Sequence, residues 1–143
     1  NAYRRFTPDS FAPATVTWSR DNRSAAVRSL VEADPSASRL ELRSGASDAN
    51  PYWLIASALA AVVAGLRAGR RPPPVEQGNL YVKGDPLPES LGVAVALATR
   101  DDTILDILGR RSVLDFAAIA RSEWDQYCGQ VSDWERQRYL GRS

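Results

Sequence analysis

The sequence predicts an α+β fold, with antiparallel strands followed by packed helices. Three observations lead there. Val16 and Trp18 alternate with polar neighbours, and Arg39-Leu40-Glu41-Leu42-Arg43 alternates charged and apolar residues strictly. That two-residue period belongs to half-buried strands. After Asn50 the apolar residues fall instead at three- and four-residue steps, the period of a helix. Strands gathered first and helices gathered second define the α+β arrangement.

The elements follow in order. Tyr3-Arg4-Arg5-Phe6 is followed by the turn-rich loop Pro8-Asp9-Ser10-Phe11-Ala12-Pro13. Strands are predicted over 14–20, 25–31 and 38–44, and 44–48 is a loop. Asn50 before Pro51 is a helix start, because Asn caps the free N–H groups and Pro fits the first helical position. This helix should run to about Ala68 and stop at Gly69. Arg70-Arg71-Pro72-Pro73-Pro74 then opens an irregular connection to about Pro88. Further helices are predicted over 89–99 and 102–108, and one long helix from about Ser112. Val113, Phe116, Ala120, Trp124, Tyr127, Val131 and Trp134 form one face of it, read as packing. Residues 50–140 should thus cover the sheet as a helical layer and orient its charged face.

Composition narrows the function. The chain has 143 residues, 44% of them hydrophobic, which is ordinary for a folded protein. Its net charge of +1 does not suggest a nucleic-acid binder. The apolar run Trp53–Leu66 is short for a membrane span. Cys128 is the single cysteine, so no internal disulfide forms, which fits a cytoplasmic protein. Histidine is absent, so Cys128 has no imidazole to activate it and reads as a packing residue.

The charges in the first 43 residues are arranged locally. On a strand, Arg39, Glu41 and Arg43 share one face, with Leu40 and Leu42 on the other. Two guanidiniums around a carboxylate suit a phosphate-plus-metal site, since Arg grips oxyanions in a planar fork and Glu can hold Mg²⁺. On this pentapeptide alone a solvated ion-pair ladder is the plainer reading. Arg23 and Arg28 just upstream, and Arg4 and Arg5 at the start, put arginine at every element. In a nearly neutral chain this indicates a local anion site.

These residues carry a resemblance. Asn1-Ala2-Tyr3-Arg4-Arg5-Phe6, Ala12-Pro13, Trp18, Asp21-Asn22-Arg23-Ser24, Arg28, Arg39-Leu40-Glu41-Leu42-Arg43 and Asp48-Ala49-Asn50-Pro51-Tyr52 follow one another as in glutamine synthetases. From Arg5 to Arg43 the spacing is ungapped against the family pattern. A weaker likeness continues through Leu87-Pro88-Glu89-Ser90-Leu91 and Val131-Ser132-Asp133-Trp134-Glu135. It covers only the C-terminal part of such an enzyme. Residues 1–48 would be the strand and loop part of its active site and 49–143 its helical part. The N-terminal β-grasp domain and the first half of the catalytic domain are absent from the sequence, so this piece alone should be inactive.

The resemblance implies an ATP-dependent ligase that forms γ-glutamyl phosphate and joins the acyl group to an amine. It implies Mg²⁺ or Mn²⁺, with Glu41 as the one family metal ligand inside this chain. Arg23, Arg28 and Arg39 would contact ATP phosphates, Arg23 also stabilising the transferring group, and Arg5 and Arg43 would hold glutamate. The alternative for each is a surface or structural role. Arg4, Arg20, Arg67, Arg70 and Arg71 have no such support and read as structural or solvated. Phe11 stands where ammonia-using members carry a glutamate, and it resembles the branch that uses organic amines. An apolar wall there suits an alkyl or aryl amine; alternatively Phe11 only packs in the loop. Ser36 replaces a lysine common near the nucleotide in bacterial members. Tyr81 falls in the region of a tyrosine that some bacterial members modify, but its surroundings do not suggest that regulation. Homo-oligomers of two stacked rings, with sites between subunits, are also implied. A competing class is a catalytically inactive structural or regulatory paralogue, against which the Arg-x-Glu-x-Arg strand argues.

Overall fold

A computed structural model describes residues 2–6, 10–31 and 34–141, with the side chains of Ala2 and Arg4 excepted. Asn1, Pro8, Asp9 and the Arg4 side chain, used above, lie outside the described residues. The architecture is α+β, as expected. Three short strands, β1 (Trp18–Arg20), β2 (Val27–Leu30) and β3 (Arg39–Leu42), form one sheet in the order β1-β2-β3.

The sheet is not wholly antiparallel. β2 and β3 are antiparallel, with Arg28 opposite Glu41, but β1 runs parallel to β2, with Ser19 opposite Arg28. Parallel neighbours normally need a long crossover. Here β1 is only three residues long, so the turn 21–26 can return the chain to its start. The Asp21 N–H donates to the Ser29 carbonyl (2.9 Å), and Asp21 adopts φ +42°, a region Asp tolerates better than most residues.

Residues 14–16, predicted as part of the first strand, pair elsewhere, whereas the Thr17 carbonyl still accepts from Val27 N–H (3.0 Å). Val16 N–H donates to Asp85 C=O (2.7 Å), and Leu87 N–H donates to Ala14 C=O (2.8 Å). The irregular connection is therefore a strap along the free edge of β1. The Ser19 hydroxyl donates to Glu76 C=O (2.6 Å), Asn22 Nδ2 to Gly78 C=O (2.9 Å) and the Thr15 hydroxyl to Leu80 C=O (2.9 Å). Leu80 and Pro13 are fully buried.

The helices follow their caps. In α1 (Pro51–Arg67), the Asn50 side chain accepts from the Tyr52 and Trp53 N–H groups, and Gly69 beyond the end takes φ +57°. Ser90 caps α2 (Leu91–Ala98) and Asp101 caps α3 (Asp102–Leu108). The single long helix predicted from Ser112 is two: α4 (Arg110–Cys128) and α5 (Asp133–Tyr139). Chain geometry breaks it at Gly129, and a capping box of Ser132 with Glu135 starts the second.

The helices pack mainly on one another, α2 on α4, α1 on α3 and α3 on α4. Val95, Ala117 and Ala120 form a buried cluster, with Leu91 against it, and Trp53 meets Phe116 at 4.6 Å between ring centroids. This corrects the expected layer over the sheet: Leu40 is 71% exposed and Leu42 49%. It also limits the packing stripe, because Val113 and Ala120 are buried whereas Val131 and Trp134 are exposed beyond the helix break.

Candidate active site

β2 and β3 place the central charges. The alternation of β3 brings Arg39 and Glu41 to one face, and the antiparallel register sets Arg28 opposite Glu41. Arg28 Nη1 donates to Glu41 Oε2 (3.2 Å), and Arg39 Nε donates to Glu41 Oε1 (3.2 Å). Both carboxylate oxygens are thus held. On its other side Arg28 donates through Nε (3.2 Å) and Nη2 to Asp21 Oδ1. The Arg28 guanidinium holds the Asp21 carboxyl below its usual range, and Asp21 in turn raises Arg28.

A second cluster forms around Arg43. Its Nη1 donates to Ala25 C=O (3.3 Å) and its Nη2 to Phe11 C=O (3.4 Å). Arg5 Nη1 donates to Gly45 C=O (2.5 Å) and Nη2 to Arg43 C=O (3.3 Å). Each guanidinium has five N–H donors, so both retain donors for a ligand. Phe11 has φ +56°, an unusual region for an aromatic residue, and the residue is 78% exposed. Its carbonyl is gripped from two sides, by Arg43 and by the Tyr81 hydroxyl (3.2 Å). The same hydroxyl lies 3.4 Å from the Arg23 carbonyl. With one proton it donates to one of these carbonyls at a time.

The structure therefore joins Arg28, Arg39 and Glu41 directly, and Arg5, Arg43 and the Phe11 backbone in a neighbouring group. The Arg23 guanidinium enters neither group: it is exposed and makes no hydrogen bond or ion pair among the described residues. It lines an open cleft of about 630 Å³ between the β1–β2 turn and the strap. Sequence reasoning missed Asp21 as the partner of Arg28, although it stands in the Asp21-Asn22-Arg23-Ser24 run. It also missed Tyr81 as a brace, for which a lone tyrosine in an irregular segment gives no signal.

Glu41 has the oxygen chemistry of a Mg²⁺ or Mn²⁺ ligand. One carboxylate held by two arginines is not a complete site, and no cluster of three or more His, Cys, Asp or Glu residues occurs among the described residues. None of the described helices is long and apolar enough to cross a membrane.

Comparison with known proteins identifies the family. The profile described as "Glutamine synthetase, catalytic domain" matches residues 1–139. The chain belongs to the glutamine synthetase catalytic-domain family. Among its relatives, the glutamine synthetase of Thermotoga maritima is 36% identical over 149 residues, covering 98% of this chain and 34% of the relative. That of Halobacterium salinarum is 34% identical, covering 98% and 33%. The type-1 glutamine synthetase 2 of Dictyostelium discoideum is 36% identical, covering 98% and 28%. The chain spans about a third of the length of the relatives it matches.

Proposed function

We propose that the protein is an ATP-dependent ligase joining an amine to the γ-carboxylate of glutamate through γ-glutamyl phosphate. The observation that carries this reading is the Arg28–Glu41–Arg39 ladder beside the open Arg23, within a chain of this family. The γ-phosphoryl group of ATP passes to a γ-carboxylate oxygen. The amine nitrogen then attacks the acyl carbon, the C–O bond to phosphate breaks, and the nitrogen gives up a proton. Crowded negative charge is the main obstacle, so positioning and charge stabilisation dominate.

Arg23, whose guanidinium makes no hydrogen bond or ion pair among the described residues, stabilises the transferring group. Arg28 and Arg39 offer their remaining donors to the phosphates, with Glu41 fixing their orientation. Arg5 and Arg43 hold the carboxylates of glutamate, each already anchored to backbone carbonyls. A bound Mg²⁺ or Mn²⁺ would screen the phosphates, with Glu41 as one ligand. The active protein is a cytoplasmic oligomer of two stacked rings on this reading.

Two amines compete. The relatives' name, glutamine synthetase, favours ammonium. The exposed Phe11 ring favours an organic amine, whose carbon surface it can cover.

Phosphate release by the intact protein, with glutamate, ATP and Mg²⁺, tests both across ammonium and a panel of organic amines. Turnover with organic amines over ammonium supports the Phe11 reading, and Phe11→Glu should then shift preference toward ammonium. Turnover with ammonium alone removes it. No turnover with any amine, despite bound ATP, favours the inactive paralogue.

A further inference from the structure

Tyr81 lies 70 residues from Phe11 in sequence, yet the strap brings its hydroxyl to the loop that carries that ring. The position is built. Leu80 is fully buried, its N–H donates to the Ser24 hydroxyl oxygen (3.0 Å), and its carbonyl accepts from the Thr15 hydroxyl (2.9 Å). The Tyr81 N–H donates to Asn79 Oδ1 (3.0 Å), which fixes the backbone one residue on. From there the Tyr81 hydroxyl lies 3.2 Å from the Phe11 carbonyl and 3.4 Å from that of Arg23.

Phe11 needs holding. At φ +56° an L side chain crowds its own backbone, and Phe has neither the freedom of glycine nor the local hydrogen bonds of Asn or Asp. Such a conformation persists only where its surroundings impose it. Among the described residues two donors reach the Phe11 carbonyl, Arg43 Nη2 (3.4 Å) and the Tyr81 hydroxyl. Arg43 is the residue given to glutamate above, so its contact with Phe11 competes with substrate. The Tyr81 hydroxyl has only backbone carbonyls as partners among the described residues, so its hold does not depend on substrate.

We propose that Tyr81 is a positioning residue for the acceptor amine: its hydroxyl keeps Phe11 left-handed, with the side chain at the surface where an amine arrives. This deepens the organic-amine reading of the proposed function and rests on it. Tyr81 acts through Phe11 and touches no reacting atom, so its loss loosens the amine wall rather than slowing the chemistry. Ammonium has no carbon surface for the ring to cover, so its use does not depend on Tyr81.

Steady-state phosphate release and hydrogen exchange of the intact protein test this, comparing Tyr81→Phe, Phe11→Ala and the double variant on ammonium and on the organic amine the wild type uses best. Tyr81→Phe should raise the organic-amine KM about three- to tenfold, the worth of one neutral hydrogen bond, with kcat within about twofold and the ammonium and ATP KM values unchanged. In the Phe11→Ala background it should add nothing further to that KM. Exchange should quicken over 10–13 and stay as in the wild type over α2 and α4. A fall in kcat shared by both amines reduces Tyr81 to a residue that only stabilises the fold, and overturns the proposal. So does a second, full-sized loss in the double variant, or unchanged exchange over 10–13. If Phe11→Ala raises the organic-amine KM and Tyr81→Phe does not, the role of Tyr81 fails and the Phe11 reading stands. If neither raises it, or the wild type uses ammonium alone, the Phe11 reading fails and the role of Tyr81 with it, while the ligase reading stands.

Discussion

Asp21 accepts from Arg28 and feels the charge of Arg23, so its carboxyl loses its proton more readily than usual. A folded-state pKa below the unfolded one adds stability above the unfolded value, and that stability disappears as pH falls through the folded value. The window therefore lies on the acidic side, at and below the ordinary carboxylate range. Asp21→Asn should therefore give a shallower loss of stability across that window than the wild type, measured by urea midpoints at a series of pH values. Parallel curves would remove Asp21 from the acid response. Asp21 is exposed, so the effect is small, and Asp34 and Glu135 contribute in the same direction through hydrogen bonds from Ser36 and Ser132. Tyr81 gives a second residue-scale expectation. Tyr81→Phe removes only the hydroxyl that braces the Phe11 carbonyl and should cost about 1 kcal/mol of stability. Hydrogen exchange should quicken at Ala12, whose N–H lies beside that loop; unchanged exchange would show that Arg43 alone suffices.

At element scale the strap is held to the sheet edge, and at Gly84 it leaves no room for a side chain. The Gly84 φ is +80°, and a Cβ there would lie 2.9 Å from Thr17 Cγ2 and 3.1 Å from Val16 O. Gly84→Ala combines left-handed backbone strain with a clash against the Thr17 side chain and a tight approach to backbone, so it should destabilise by about 2 kcal/mol. A denaturation midpoint equal to that of Gly65→Ala, where open space surrounds the added methyl, would contradict this. The strap also explains what the sequence leaves hidden. The helices 51–67 and 102–108 are legible because Asn50-Pro51 and Asp101 cap them locally. The Arg39–Glu41 pairing is legible because alternation fixes a strand's faces. The parallel pairing of β1, the detour of 14–16 to Asp85 and Leu87, and the brace from Tyr81 to Phe11, 70 residues away, depend on partners that local pattern does not name. The break between α4 and α5 was readable in Gly129 and Ser132, but the apolar period runs across it.

On the scale of the whole chain, the sheet and the helices each bury a modest interior and leave apolar faces open. On α1, Tyr52, Ile55, Leu59, Val62 and Leu66 recur at three- and four-residue steps and are all exposed. On β3, the face opposite Glu41 carries exposed Leu40 and Leu42. The helix between those positions holds no charge before Arg67, so nothing on this stripe offsets the cost of wetting it. Contiguous apolar surface of this kind limits solubility and recruits apolar probes. The 143-residue chain should therefore enhance the fluorescence of an apolar dye under native conditions. Replacing Ile55, Leu59 and Val62 together by Ser should reduce that enhancement and raise solubility, with helix content measured by circular dichroism largely kept. By helical spacing those side chains lie on the opposite face of α1 from Trp53 and Ala60, so the triple change leaves the packed side of the helix intact. A dye signal that survives the triple change would shift the open apolar surface to the β3 leucines, where Leu40→Ser with Leu42→Ser becomes the deciding pair.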